Sequence, residues 1–119
     1  MNNKRLGTEF EREVVTLLSQ MGYWVHFITP NASGSQPFDI IASKDNMPIV
    51  ADCKTSATKN FNISRLEENQ QMAFDLWFNT GNKKAYVIIK YNDKIYQIPY
   101  LMIKGLGKIN LDNCESFII

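Results

Sequence analysis

The segment spanning residues 38–55 constrains this chain more than any other. Two runs rich in apolar and β-branched residues, 38–43 and 49–55, flank Asp45-Asn46, and together they read as a two-stranded antiparallel hairpin. Asp39 and Asp52 are equidistant from a turn centred on that dipeptide, so the ladder predicts them directly opposite one another. Cβ atoms in such a pair lie roughly 4.5–5.5 Å apart, a separation at which like charges repel. Two carboxylates held that close need a proton or a cation between them. A divalent ion such as Mg2+ fits, because it takes hard oxygen ligands and keeps water for chemistry. Lys54 follows Asp52 by two residues and therefore projects from the same strand face. It is placed to orient a water or stabilise a phosphoryl oxygen. Cys53 points the other way, toward the core, and would offer a metal only its backbone carbonyl.

The rest of the chain supplies the elements to pack around that hairpin. Leu6, Phe10, Val14, Leu17, Leu18 and Met21 recur at helical spacing and predict a helix over 8–21, ended by Gly22. Residues 23–28 (YWVHFI) read as a strand and 29–37 (TPNASGSQP) as a loop. Ser64 and Glu67 form an S-x-x-E capping box that opens a second helix, closed near Gly81. Residues 85–91 (AYVIIKY) predict a central strand, turned by Asn92-Asp93-Lys94 into 95–100. The last twenty residues suggest a short helix or loop and a final strand through 117–119. The order is helix, three strands, helix, strand or strands. This predicts one α/β domain over 1–119, with a mixed sheet and helices packed on it.

A third acid and an amide can join the pair of aspartates. On a helical wheel Glu11 falls inside the buried arc, while Glu9 lies on the polar side; Glu13 sits at the opposite edge of the arc, and the wheel alone leaves it open. Gln70 shares a face with Leu66, Ala73 and Trp77. An uncharged polar group on a buried stripe wants a hydrogen-bond partner, and the acid cluster would supply one.

Composition narrows the functional classes. Apolar runs are short, as at 86–89, so no transmembrane helix is expected. The N-terminal sequence lacks the apolar stretch of an export signal. Cys53 and Cys114 are too few for a disulfide scaffold and are expected as reduced thiols in the cytoplasm. With 13 Lys and Arg against 12 Asp and Glu, the net charge is +1, less basic than most nucleic-acid binders. A bound divalent ion would add two charges.

Taken together, Asp39 and Asp52-Cys53-Lys54 resemble the motif of the PD-(D/E)XK nuclease superfamily. Gly7-Thr8-Glu9-Phe10-Glu11-Arg12-Glu13, followed by Leu17, Leu18 and Gly22, resembles the opening helix of archaeal-type Holliday junction resolvases. In that family the glutamate before the arginine is catalytic, which implies Glu11. Ser33-Gly34-Ser35, ahead of the Asp-Ile-Ile-Ala at 39–42, resembles the family's serine-containing mobile loop. Phe61, Ile63, Leu66, Asn69 and Gln70 are similar to RecU-type resolvases, which carry His where this chain has Asn69; the stalk insertion of those proteins has no counterpart. The likeness covers residues 7 to about 91.

The resemblance implies a restriction-endonuclease-like αβββαβ core and Mg2+-dependent hydrolysis of a phosphodiester in branched DNA, with Mn2+ able to substitute. Glu11, Asp39, Asp52 and the Cys53 carbonyl would hold metal, and Lys54 and Gln70 would complete the catalytic set. Arg5, Arg12, Ser33 and Ser35 would meet DNA. A homodimer is implied, and paired cuts across a four-way junction are most simply made by two sites related by a two-fold axis.

Each of these readings has a plainer rival. Asp39, Asp52 and Lys54 could decorate an ordinary surface hairpin, and Glu11 could be a solvated helix charge. Gln70 could bond only to backbone. His26, the one histidine, is expected to be structural; Lys83, Lys84, Lys90 and Lys94 a solvated face; Trp77 and Phe78 core. A restriction-like or repair nuclease would share the chemistry on another DNA. An inactive DNA-binding module would suit the weak net charge, but leaves two facing carboxylates without a purpose.

Overall fold

The computed structural model describes residues 3–28 and 36–116, with side chains from residue 7 onward. Helix α1 (Asn3–Gln20) buries Phe10, Val14 and Leu18 along one stripe. Leu18 is fully buried, and cutting it to Ala would cost roughly 2–5 kcal/mol. The helix ends where Gly22 takes φ 93°, a left-handed conformation that glycine adopts without steric penalty. Lys44 Nζ caps the end by donating to the Met21 carbonyl at 2.7 Å. Met21, expected on the apolar stripe, is 42% exposed, because the chain turns away there.

Strand β1 (Trp24–Phe27) leads, through residues outside the described set, to β2 (Ile40–Lys44) and β3 (Met47–Thr55). The β2–β3 ladder runs from Lys44↔Met47 to Ile40↔Ala51, the register set by a turn at Asp45-Asn46. Both turn residues have positive φ, 54° and 63°. That geometry matches the right-handed twist of the flanking strands and is tolerated best by Asn, Asp and Gly. A short strand β4 (Asn60–Asn62), a 3-10 turn (Ile63–Arg65) and helix α2 (Glu68–Asn79) then cross over to β5 (Ala85–Tyr91), which pairs with β3 in parallel. Strand β6 (Lys94–Pro99) returns antiparallel through Asn92-Asp93. The main sheet has the order β1-β2-β3-β5-β6.

Central β3 is covered on both faces, and Ile49 to Cys53 are buried without interruption. Below it, α1 packs on Ile40, Ala42, Ile49, Ala51, Cys53 and Ile88. Above it, Phe74 of α2 and Tyr100 and Ile103 of helix α3 (Tyr100–Leu106) cover Val50, Val87 and Ile89. Trp77 and Phe78, expected as core, are partly buried at the rim of that upper layer. His26 is exposed on the edge strand and stacks on Trp24.

Two expectations change. Helix α2 begins at Glu68, and its capping box is Glu67 with Gln70; Ser64 lies in the preceding 3-10 turn. The tail forms α3 and then β7 (Lys108–Asn110), which pairs with β4 in a small second sheet. A strand over 117–119 lies outside the described residues. Among the described residues no helix is long and apolar enough to cross a membrane.

Candidate active site

Asp52 sits in the middle of β3 with its side chain fully buried. A buried carboxylate is costly unless its oxygens are satisfied. Its Oδ1 accepts a 2.8 Å hydrogen bond from Gln70 Nε2. Its Oδ2 lies 3.2 Å from Lys54 Nζ, yet it has no aligned hydrogen-bond partner. Burial pushes the Asp52 carboxyl well above its ordinary pKa. The charge of Asp39 pushes the same way, and Lys54 opposes it.

Asp39 reaches this carboxylate by a route the ladder arithmetic does not give. The regular pairing stops at Ile40↔Ala51, and the Asp39 amide donates to the Ala51 carbonyl at 3.1 Å, one step out of register. Asp39 is therefore not a direct cross-strand partner of Asp52. Its Oδ2 instead accepts a 2.8 Å bond from the Cys53 amide, which swings the side chain over the end of the strand toward Asp52.

Glu11 arrives from α1, below the sheet. Burial is the main cause that raises its pKa to about 7; Asp39 adds to the rise and Lys54 reduces it. The two other helix acids are separated from it by the fold. Glu13, left open by the wheel, is taken by Lys90 at 2.8 Å, and Glu9 is exposed. Burial is the main cause that raises the pKa of the Cys53 thiol, and the charges of Asp39, Asp52 and Glu11 each add to the rise.

Gln70 joins the two halves of the site. Its Oε1 accepts from the Glu67 amide at 3.1 Å and from Lys54 Nζ at 3.3 Å. With the oxygen committed to two donors, the nitrogen must face Asp52. The same side chain thus caps α2 and fixes the orientation of both the acid and the lysine. Glu67, the partner in that cap, is the positioning group that the sequence reading missed; the overlapping E-x-x-Q at 67–70 was its signal.

These residues suit a hard cation. Three carboxylates from α1, the start of β2 and β3 lie within electrostatic reach, two hold protons more tightly than usual, and one buried oxygen lacks a hydrogen-bond donor. A divalent ion would replace those protons and satisfy that oxygen. The acids do not form a closed cage beforehand: among the described residues no three His, Cys, Asp or Glu side chains are drawn together as a finished metal site. The Cys53 amide is engaged with Asp39.

Of the groups expected at DNA, Arg12 lines a groove with Thr8, Val15, Thr16 and Phe27 beside the site. Ser33 and Ser35 lie outside the described residues, as does the side chain of Arg5.

Comparison with known proteins points the same way. A family profile described as archaeal Holliday junction resolvase (Hjc) matches residues 2–113. The crossover junction endodeoxyribonuclease Hjc of Methanocaldococcus jannaschii is 30% identical over 104 residues, which cover 87% of this chain and 73% of the relative. In fold, the chain is similar to the solved structure of Archaeoglobus fulgidus Hjc, a Holliday junction resolvase. The TM-score is 0.66 at 21% identity, over 87% of this chain and 86% of that one.

Proposed function

This chain belongs to the archaeal Holliday junction resolvase (Hjc) family, and from that premise we propose how its own residues cut branched DNA. It is an endodeoxyribonuclease of the crossover-junction type that depends on a divalent metal. The observation that carries the residue assignment is the buried Asp52–Lys54–Gln70 cluster, with Asp39 and Glu11 acting on it from two other elements.

In this reading Glu11, Asp39, Asp52 and the Cys53 carbonyl hold the ion, and Mg2+ is the natural occupant, with Mn2+ as a substitute. When bound, the ion supplies Lewis acidity toward a phosphodiester and lowers the pKa of water. Lys54 presents its ammonium beside the acids, where it can stabilise charge developing on a phosphoryl oxygen or orient the attacking water. Gln70 keeps that ammonium and the Asp52 carboxylate in fixed relation, so neither must reorganise during reaction. Arg12, Arg5, Ser33 and Ser35 contact phosphates and position the strand.

Symmetric cutting of a four-way junction calls for two copies, and we assign the homodimer contact to the outer face of α2. Met72 and Leu76 are each 63% exposed there, one turn apart, beside an apolar cleft lined by Pro37, Phe38, Ala73 and Trp77. The cytoplasm is the compartment that suits a DNA substrate and the free thiols Cys53 and Cys114.

The test uses a synthetic four-way junction, a linear duplex of matched sequence and a single strand, each with no metal, Mg2+ or Mn2+. Paired symmetric nicks confined to the junction, and only with metal, are expected. Cutting of all three DNAs would replace the junction assignment with a general nuclease. Binding without cutting under every condition would replace it with an inactive module.

A further inference from the structure

The groove beside Arg12 runs away from the acid cluster, and we infer that it seats the sugar–phosphate backbone of a DNA strand leading out of the active site along α1. This rests on the nuclease reading and adds a path for the strand. Three observations carry it. The groove adjoins the site along the chain: its α1 residues, Thr8, Arg12, Val15 and Thr16, flank Glu11 on the same helix, and its other wall is Phe27 of the edge strand. Ile28, next to Phe27, donates its amide to the Asp39 carbonyl at 2.8 Å, so the wall ends at the site itself.

The spacing and chemistry suit a backbone rather than bases. Thr8, Arg12 and Thr16 stand one above the other at intervals of about 6 Å, comparable to the separation of successive phosphates along a strand. Arg12 supplies a forked cation for one phosphate. Thr16 supplies a hydroxyl whose proton now goes to the Arg12 carbonyl at 3.1 Å; a hydroxyl rotor can redirect that proton to an anionic oxygen. Val15 and Phe27 give the apolar floor that a deoxyribose needs. With a volume of about 370 Å³, the groove accommodates a sugar with its phosphate.

A strand lying here makes Thr16 a DNA contact one helical turn beyond Arg12. The experiment measures the affinity of the full chain for a labelled four-way junction without divalent metal, across a series of salt concentrations. Thr16→Glu and Thr16→Arg are compared with the same changes at Asn113, which is exposed in the 3-10 turn (Leu111–Asn113) on the opposite face of the sheet. Thr16→Glu should weaken binding by roughly tenfold. Thr16→Arg should tighten it and steepen the log–log salt dependence by about 0.9, the signature of one added phosphate contact. Both Asn113 variants should stay near the parent. In a second arm, single phosphates next to the cut are replaced by uncharged methylphosphonates; one replacement should weaken the parent and leave Thr16→Ala unchanged. If the parent binds and cuts the junction but Thr16 and Asn113 variants respond alike, the groove assignment falls and the nuclease reading stands. If the parent neither binds nor cuts any DNA, both fall.

Discussion

The main sheet contains two hairpins built in the same way, and only one of them carries the proposed site. Each turns on a pair of polar residues with positive φ, Asp45-Asn46 and Asn92-Asp93, and each places one strand in the buried centre of the sheet. The parallel register sets them side by side, with Asp52 beside Val87 and Lys54 beside Ile89. On the same face, at the same depth, β5 has aliphatic carbons where β3 has an acid and a lysine. The backbone is therefore indifferent to the site. What differs is the lining: Gln70 reaches Asp52 on β3, while Val87 and Ile89 of β5 pack in the apolar upper core. A buried acid survives where it has a partner ready, and the most direct way to break the comparison is to exchange the two environments.

Val87→Asp would place a second carboxylate in the apolar upper core, directly beside Asp52, where burial and the neighbouring acid both oppose its charge. Destabilisation of about 3 kcal/mol or more is expected, read from urea melts. Asp52→Asn makes the opposite change, removing a charge that burial disfavours. The fold should persist and junction binding should remain, while cleavage falls by roughly three orders of magnitude or more. A Val87→Asp protein as stable as its parent, or an Asp52→Asn protein that still cuts, would erase the distinction between the two strands.

Gln70 is the next largest expected effect, because it carries both the difference between the strands and the start of α2. Gln70→Ala should lower kcat by about 10- to 100-fold, the usual range for a group that orients a metal ligand. It should also cost about 1 kcal/mol through loss of the cap. The two effects separate in Glu67→Ala, which leaves the Gln70–Asp52 bond in place; there the loss of stability should exceed the loss of rate. Equal loss of rate in both variants would show that the cap, and not the contact to Asp52, controls the site.

The acids also set the pH dependence of stability. Glu11 has a folded-state pKa of about 7 against an ordinary 4.5, so between those values the folded chain holds a proton that the unfolded chain has released. Without divalent metal, Tm should fall as pH rises from about 4.5 to about 7 and then level off. Asp52, shifted in the same direction, extends the decline from near its ordinary 3.8. Metal requires the deprotonated acids, so the rise in Tm on adding Mg2+ or Mn2+ should grow across the same interval. Scanning calorimetry with and without metal checks both signs, and Glu11→Gln should flatten the metal-free curve. Were Tm of the metal-free protein to climb over that interval, these carboxylates would not be the protonated groups.

Much of this comparison was legible in the chain, for reasons that are local. The dipeptides Asp45-Asn46 and Asn92-Asp93 announce positive-φ turns, and a tight turn fixes register outward along both strands, from Lys44↔Met47 to Ile40↔Ala51. Strand alternation put Asp52 and Lys54 on one face, and helical spacing put Gln70 on a buried stripe. The misses begin where geometry stops being local. Asp39 lies one residue past the regular ladder, where its backbone steps out of register and its side chain is aimed by the Cys53 amide. The start of α2 offered two overlapping boxes, at 64–67 and 67–70. The second prevails because the Gln70 oxygen closes it while its nitrogen satisfies Asp52, a reward visible only once β3 is in place. The β4–β7 pair joins Phe61 to Ile109 across the chain, and three-residue strands carry no periodicity of their own.

The smallest expected effect tests whether the two turns really are equivalent. Asn46→Gly and Asp93→Gly each place the residue best suited to φ near 60° at the second turn position. The gain from relieving the left-handed conformation, roughly 1 kcal/mol at most, is offset by the larger entropy of glycine in the unfolded chain. Each change should therefore move stability by no more than about 0.5 kcal/mol, and by similar amounts in the two hairpins. Cleavage should be unaltered in both, because the turns set register while the site draws on α1, α2 and the far ends of β2 and β3. A loss of cleavage confined to Asn46→Gly, with stability preserved, would mean that the first turn contributes more than register. The two hairpins would then differ in their backbones as well as in their side chains.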